Sequence, residues 1–208
     1  MQYVQDYDEK YPMSEYDATP TENVWHTWAR DVMPYIKSGT IVGGPAGGQP
    51  SGAIFRCPSF PVEEEYNYGI HPYIIRTGGG MSWSPNPVTT TSMAAIENPA
   101  STFLIAEKGS NSGQAYWASK WFWADEWFYL NTVGSNPPAT QQRNNMDLTQ
   151  GDCDSQGSSV FNCTASIRYR HNGTANIAYA DGHAKALVRG RVNWYENLYI
   201  PGVMSTPW

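Results

Sequence analysis

The sequence predicts a loop-rich β or α+β domain built mainly from short antiparallel strands. Residues 166–188, SIRYRHNGTANIAYADGHAKALV, hold two turn signals, Asn172-Gly173 and Asp181-Gly182, between three short runs. Such dipeptides between alternating runs are the strongest short-range hairpin signals, because type I′ turns need φ > 0 at both central residues. Residues 103–106 (FLIA) form a continuous apolar run, the pattern of a central strand covered on both faces. Charged residues make up 15 % and aromatics 14 %, with 19 Gly and 15 Pro. That balance suits an extracellular, loop-rich fold better than a cytosolic enzyme.

The 208 residues are enough for one domain with a real core. The formal net charge is −6. No Lys/Arg run appears, which argues against nucleic acid and anionic membrane as partners. An acidic, polar surface leaves room for divalent cations. Of three cysteines, Cys153 and Cys163 enclose a Gly/Ser/Asp-rich segment. A disulfide between them would remove loop entropy worth roughly 2.5–3 kcal/mol from the unfolded state; the other reading is two thiols in a loop. Cys57 is then left over, either as a small buried hydrophobe or as a residue whose partner lies before Met1. The lack of CxxC pairs argues against zinc.

In chain order, Met1, Val4 and Tyr7/Asp8 follow helical spacing, and Pro12 is expected to stop the helix. Residues 1–12 therefore read as the last turns of a helix that began earlier. Residues 13–20 read as a turn. Thr21 is the expected N-cap of a helix over 21–33, with Val24, Trp25, Trp28, Ala29 and Val32 as one apolar stripe facing the core. Residues 38–52 read as a Gly-rich loop. Residues 53–57 (AIFRC) read as a short strand closed by Pro58, and 66–75 as an irregular aromatic strand. The run over 101–107 is the most apolar strand. In the last third, three runs (166–170, 175–180 and 183–188) are expected to form a meander, with Ala175, Ile177 and Tyr179 on one face. Residues 189–208 form an aromatic tail that lies along the domain or onto a neighbour.

Between these strands, residues 109–164 form a long insert. It holds a dense aromatic block that includes Trp117, Trp121, Trp123 and Trp127. Aromatics dominate interface energetics, so the open readings are a subunit interface, a local mini-core and a sugar-stacking platform. Further on, Asp147, Asp152 and Asp154 lie close together among other oxygen-bearing residues. Ca²⁺ takes six to eight hard oxygen ligands in flexible geometry, so this loop is a candidate Ca²⁺ site; the EF-hand spacing is not met, and the other reading is a polar, solvated loop. Glu107 and Asp181 form a second candidate acidic pair, against a turn role for Asp181. Asn162-Cys163-Thr164 and Asn172-Gly173-Thr174 fit the N-glycosylation pattern.

The stretch from His171 to Asp181-Gly182 also carries a family resemblance. His171, nine intervening residues, Asp181 and Gly182, within RHNGTANIAYADGHAK, resemble the C-terminal motif of the H-X9-DG pilin-like (pseudopilin-like) proteins associated with prepilin processing. MPYIK, IFRCPS, EYNYGI and IENPASTFLIAE resemble that family's earlier landmarks, in order; the insert over 109–164 is outside the shared pattern. The resemblance implies an α+β, pilin-like fold over residues 1–208. In it an N-terminal helix, ending in residues 1–12, packs on an antiparallel sheet with long loop insertions, and residues 165–189 are the C-terminal meander. It implies membrane contact only through the part of that helix missing from this sequence. With that part absent, a filament must be held by lateral contacts between globular domains, and the aromatic insert and tail are the expected donors. Major pseudopilins hold Ca²⁺ in a C-terminal loop, which favours the acidic-loop site.

Three functions follow as expectations. The first is a structural subunit of an extracellular, cell-surface filament or tube, with copies of itself as partners in a homopolymer and Ca²⁺ between them. The second is a minor pseudopilin or secretion-system accessory. The third is a carbohydrate-binding module with a surface glycan as partner. An enzyme is the least favoured reading, because His171 and Asp181 fall at turn positions and no nucleophile–base signature accompanies them.

Overall fold

The computed structural model describes residues 1–17, 25–36, 40–42, 49–51, 53–55, 57–59, 68–76, 90–108 and 167–204. Its centre is a four-stranded antiparallel sheet of β5 (Tyr68–Ile70), β6 (Phe103–Glu107), β7 (Thr174–Tyr179) and β8 (Ala184–Val188), hydrogen-bonded in that order. With few and short helices among the described residues, the fold is broadly α+β. The continuous apolar run becomes β6, an interior strand, and the register shifts between Phe103 and Ile105. Along β7 the expected alternation holds: Ala175, Ile177 and Tyr179 are buried, whereas Asn176 is exposed. Strand β8 lies at the sheet edge and is mostly exposed.

The two turns around β7 differ from each other. At the first, Asn172 (φ 53) and Gly173 (φ 80) are both left-handed, and His171 and Thr174 exchange backbone bonds of 3.1 and 3.0 Å. This is the expected type I′ turn. At the second, only Gly182 is left-handed (φ 95). Tyr179 N–H donates to His183 C=O at 2.8 Å, and Gly182 N–H donates back to Tyr179 C=O at 2.9 Å. The loop is therefore the three-residue kind, a turn followed by a left-handed glycine, and not the expected type I′. Residues 166–170 were expected as a strand on β7. Residues 167–170 are not one, because β6 already occupies that side of β7. Instead Ile167 bridges to Lys108, just beyond the end of β6.

The N-terminal half departs further from expectation. Helix α1 (Gln2–Asp6) buries Val4, and two left-handed residues, Asp8 (φ 51) and Glu9 (φ 56), end it well before Pro12. Residues Glu15–Asp17 form β1, paired with β2 (Trp25–Thr27). Of the expected helix over 21–33, Trp25–Thr27 are strand and Trp28–Val32 are helix α2, followed by a 3₁₀ turn at Met33–Tyr35 that accommodates Pro34; Thr21 and Val24 lie outside the described residues. Aromatic and β-branched residues suit a strand as well as a helical stripe, and the β1 ladder decides for the strand. Trp28 and Ala29 are nevertheless buried, as the stripe required. The expected loop over 38–52 contains β3 (Thr40–Val42) paired with β4 (Gln49–Ser51). Residues Ala53–Phe55 form a 3₁₀ turn, not a strand; three residues are too few for periodicity to separate the two.

The tail packs back on its own domain. Helix α3 (Trp194–Asn197) is capped by Asn193, whose side chain accepts from Tyr195 N–H at 3.1 Å. Asn197 Nδ2 donates to Ser101 C=O at 3.0 Å, and Trp194, Leu198, Ile200 and Met204 join the core. His71, fully buried, ties β5 to this tail through Nε2 and Leu198 C=O at 2.8 Å, while its Nδ1 accepts from Tyr73 N–H at 3.2 Å. Both ring nitrogens are thus satisfied by the neutral imidazole.

Two predictions follow from these pins. Tyr11 is buried and its hydroxyl donates to Ala180 C=O at 2.7 Å, joining the N-terminal segment to the second turn. Tyr11→Phe is expected to lower unfolding stability by about 1–2 kcal/mol in urea titrations. Burial pushes the His71 imidazole down to about 4, against 6.5 in the unfolded chain. Above pH 6.5 both states are neutral; as pH falls the unfolded state takes the proton first. Stability is therefore expected to drop between pH 6.5 and about 4, by on the order of 3 kcal/mol, and denaturant midpoints across that window measure it.

Candidate functional site

The side-chain chemistry gathers where β6 ends. Tyr68 pairs with Glu107 across β5 and β6, and the pairing of Ala106 with Ile177 sets Asn176 beside Glu107. Glu107 is fully buried. An ion without partners there would be strongly disfavoured, and β7 supplies them. Asn176 N–H donates to Oε2 at 2.9 Å, and Asn176 Nδ2 donates to Oε1 at 3.0 Å. The type I′ turn delivers His171, whose Nε2 lies 2.8 Å from Oε1. A carboxylate only accepts, which assigns the shared proton to Nε2.

Cys57 comes from the segment after the Ala53–Phe55 turn. It is fully buried, and its Sγ lies 3.4 Å from the same His171 Nε2. Cys57, Glu107 and His171 present ligand atoms all within 4.8 Å of one another. Burial pushes the Cys57 thiol up, and the Glu107 carboxylate adds to this, while Ser59 backbone bonding and Arg170 oppose it. Burial, then the Glu107 charge, also pushes the Tyr68 phenol up to about 12. Arg170 Nη2 donates to Lys108 C=O at 2.9 Å and borders the cluster.

The geometry differs from a nucleophile–base relay. A relay places the nucleophile on one imidazole nitrogen and the carboxylate on the other. Here sulfur and carboxylate oxygen both face Nε2, and burial raises the thiol's pKa, the opposite of activation. Three donors converging on one point are instead an arrangement that a metal ion can occupy.

The expected motif residues are brought to two places, not one. His171 serves the Glu107 end of β7. Asp181 and Gly182 serve the other end, where Asp181 N–H donates to Pro99 C=O at 3.1 Å and Ala180 N–H to Thr102 C=O at 2.9 Å. The Asp181 carboxylate accepts from His183 N–H at 3.1 Å and contacts His183 Nδ1 at 2.6 Å. Slight burial pushes the Asp181 carboxyl up, but the His183 bonds outweigh it and hold it below the usual range. The candidate acidic pair of Glu107 with Asp181 is therefore not formed, because β7 runs between them. Asp147, Asp152, Asp154, Cys153, Cys163, Trp117, Trp121, Trp123 and Trp127 lie outside the described residues. Asn176 and the role of Cys57 were missed in sequence; the signals were a carboxylate closing an apolar strand and a cysteine ahead of Pro58.

No family model matches the chain, no curated protein matches it, and no solved structure matches it. No helix among the described residues is long and apolar enough to cross a membrane.

The cluster generates a ranking. Glu107→Gln replaces one acceptor oxygen with an amide donor that faces the His171 and Asn176 donors, and is expected to destabilise by on the order of 3 kcal/mol. His171→Ala, at a position 31 % exposed, is expected to lose less, because water can reach the vacated edge. Thermal and urea unfolding of the two variants compare them directly.

Proposed function

We propose that this chain is a pilin-like structural subunit of an extracellular filament or tube, assembled through contacts between its globular domains. The observation that carries the reading is the use of the H-X9-DG stretch. His171 pins one end of β7 to Glu107, and the Asp181-Gly182 turn docks the other end on residues 98–102. Both halves of the motif act as architecture, in keeping with a family of structural proteins. Helix α1 places Val4 in the same hydrophobic core as the sheet residues Ile70, Phe103 and Ile177, as a helix-on-sheet subunit needs. The reading assigns no catalytic step. Calcium on Asp147, Asp152 and Asp154 and an interface through the Trp117–Trp127 block belong to the proposal as its assembly contacts.

Electron microscopy of the purified chain, with calcium and again with excess EDTA, tests this. Ordered polymers that disperse in EDTA are the expected outcome. Polymers indifferent to EDTA would keep the subunit role and remove calcium from it. Single particles under both conditions would overturn the filament reading and favour a secretion-system accessory or a sugar-binding domain.

A further inference from the structure

We propose that Cys57, Glu107 and His171 bind a transition-metal ion of the Zn²⁺ class. The set joins one sulfur, one imidazole nitrogen and one carboxylate oxygen, the three donor types that Zn²⁺ takes. Thiolate and imidazole suit borderline and soft ions and are poor ligands for Ca²⁺. This site is therefore distinct in chemistry from the oxygen-rich loop of Asp147, Asp152 and Asp154.

The sulfur–nitrogen and nitrogen–oxygen separations fit with little rearrangement, and sulfur and carboxylate oxygen lie within 4.8 Å of each other. Around a tetrahedral zinc, sulfur and nitrogen stand about 3.5 Å apart and nitrogen and oxygen about 3.3 Å apart. Here Sγ and Nε2 are 3.4 Å apart, and Nε2 and Oε1 are 2.8 Å apart. The imidazole needs only to swing a few tenths of an ångström from the carboxylate, and its partial exposure allows that. Asn176 already holds both oxygens of Glu107 from the strand side, the role that outer-shell donors play for a metal-bound carboxylate.

Charge and protons balance as follows. Binding releases the Cys57 thiol proton to solvent, and the Nε2 proton of His171 is replaced by one on Nδ1, so the imidazole stays neutral. The thiolate and carboxylate then carry two negative charges against the two positive charges of the ion. Arg170 faces the same cluster with Tyr68, and its Nη2 donates to Lys108 C=O. Three protein ligands leave the fourth position to water on the exposed side of His171. The requirement for thiol deprotonation makes affinity rise with pH.

The test is anaerobic titration of the full chain, reduced and freed of metal, with Co²⁺ alone and then Zn²⁺. One equivalent of Co²⁺ should produce a near-ultraviolet thiolate charge-transfer band, with proton release, and Zn²⁺ should abolish the band. Cys57→Ser should lose the band and bind at least tenfold more weakly, with circular dichroism confirming that it folds. Zinc X-ray absorption of the unmutated chain gives a reading independent of any variant, and should show one sulfur with nitrogen and oxygen neighbours. Absence of the band in the unmutated chain, its persistence in Cys57→Ser, or a zinc shell with no sulfur or with two would each overturn the assignment.

Discussion

A buried carboxylate organises this fold. Glu107 closes the most apolar strand at a point water does not reach, and its charge is tolerable only because N–H groups converge on it. All those donors come from residues 171–176. The constraint therefore fixes which residue of β7 stands beside the end of β6. Side chains alternate along a strand, so a slip of one residue would remove Asn176 from Glu107 and turn Ile177 out of the core. At the far end, the bonds from Ala180 and Asp181 to Thr102 and Pro99 fix the same alignment a second time. The nine residues between His171 and Asp181 span one strand and its turns. The spacing thus measures a distance between two anchor points.

This arrangement lets one histidine serve structure and ligand chemistry together. In the metal-free protein, His171 completes the donor set of Glu107. With an ion present, the same nitrogen, carboxylate and nearby sulfur would share the charge, and Asn176 would go on orienting the carboxylate. Neither role calls for an activated nucleophile, which agrees with a thiol raised by burial. A structural subunit with a metal-stapled sheet end would gain stability where the chain has neither a long helix nor a broad sheet among its described residues.

How much of this was legible depended on the range of the interaction. Strand β7 was readable because period-two alternation and Asn172-Gly173 act locally, and β6 because four consecutive apolar residues have few other uses. The Asp181-Gly182 turn was placed correctly but given the wrong type, since one left-handed residue suffices when Ala180 joins the loop. The segment around Trp25 was misread because its residues fit a helical stripe and a strand equally, and only pairing with Glu15–Asp17 separates them. Cys57, Glu107 and His171 stand far apart in sequence. The β6–β7 pairing sets His171 beside Glu107, and the packing of the segment after the Ala53–Phe55 turn adds Cys57; no spacing rule could have joined them. Asp181 was tied to His171 by the motif, yet the two act at opposite ends of one strand.

The bridge between Lys108 and Ile167 has a consequence for how such a chain can vary. The long connection from β6 to β7 departs and returns at one paired position, so the sheet sets only where its ends lie. Doubling a connection of this kind adds only about 0.6 kcal/mol of closure entropy. A change in the number of residues between Lys108 and Ile167 therefore leaves the register of β6 and β7 untouched.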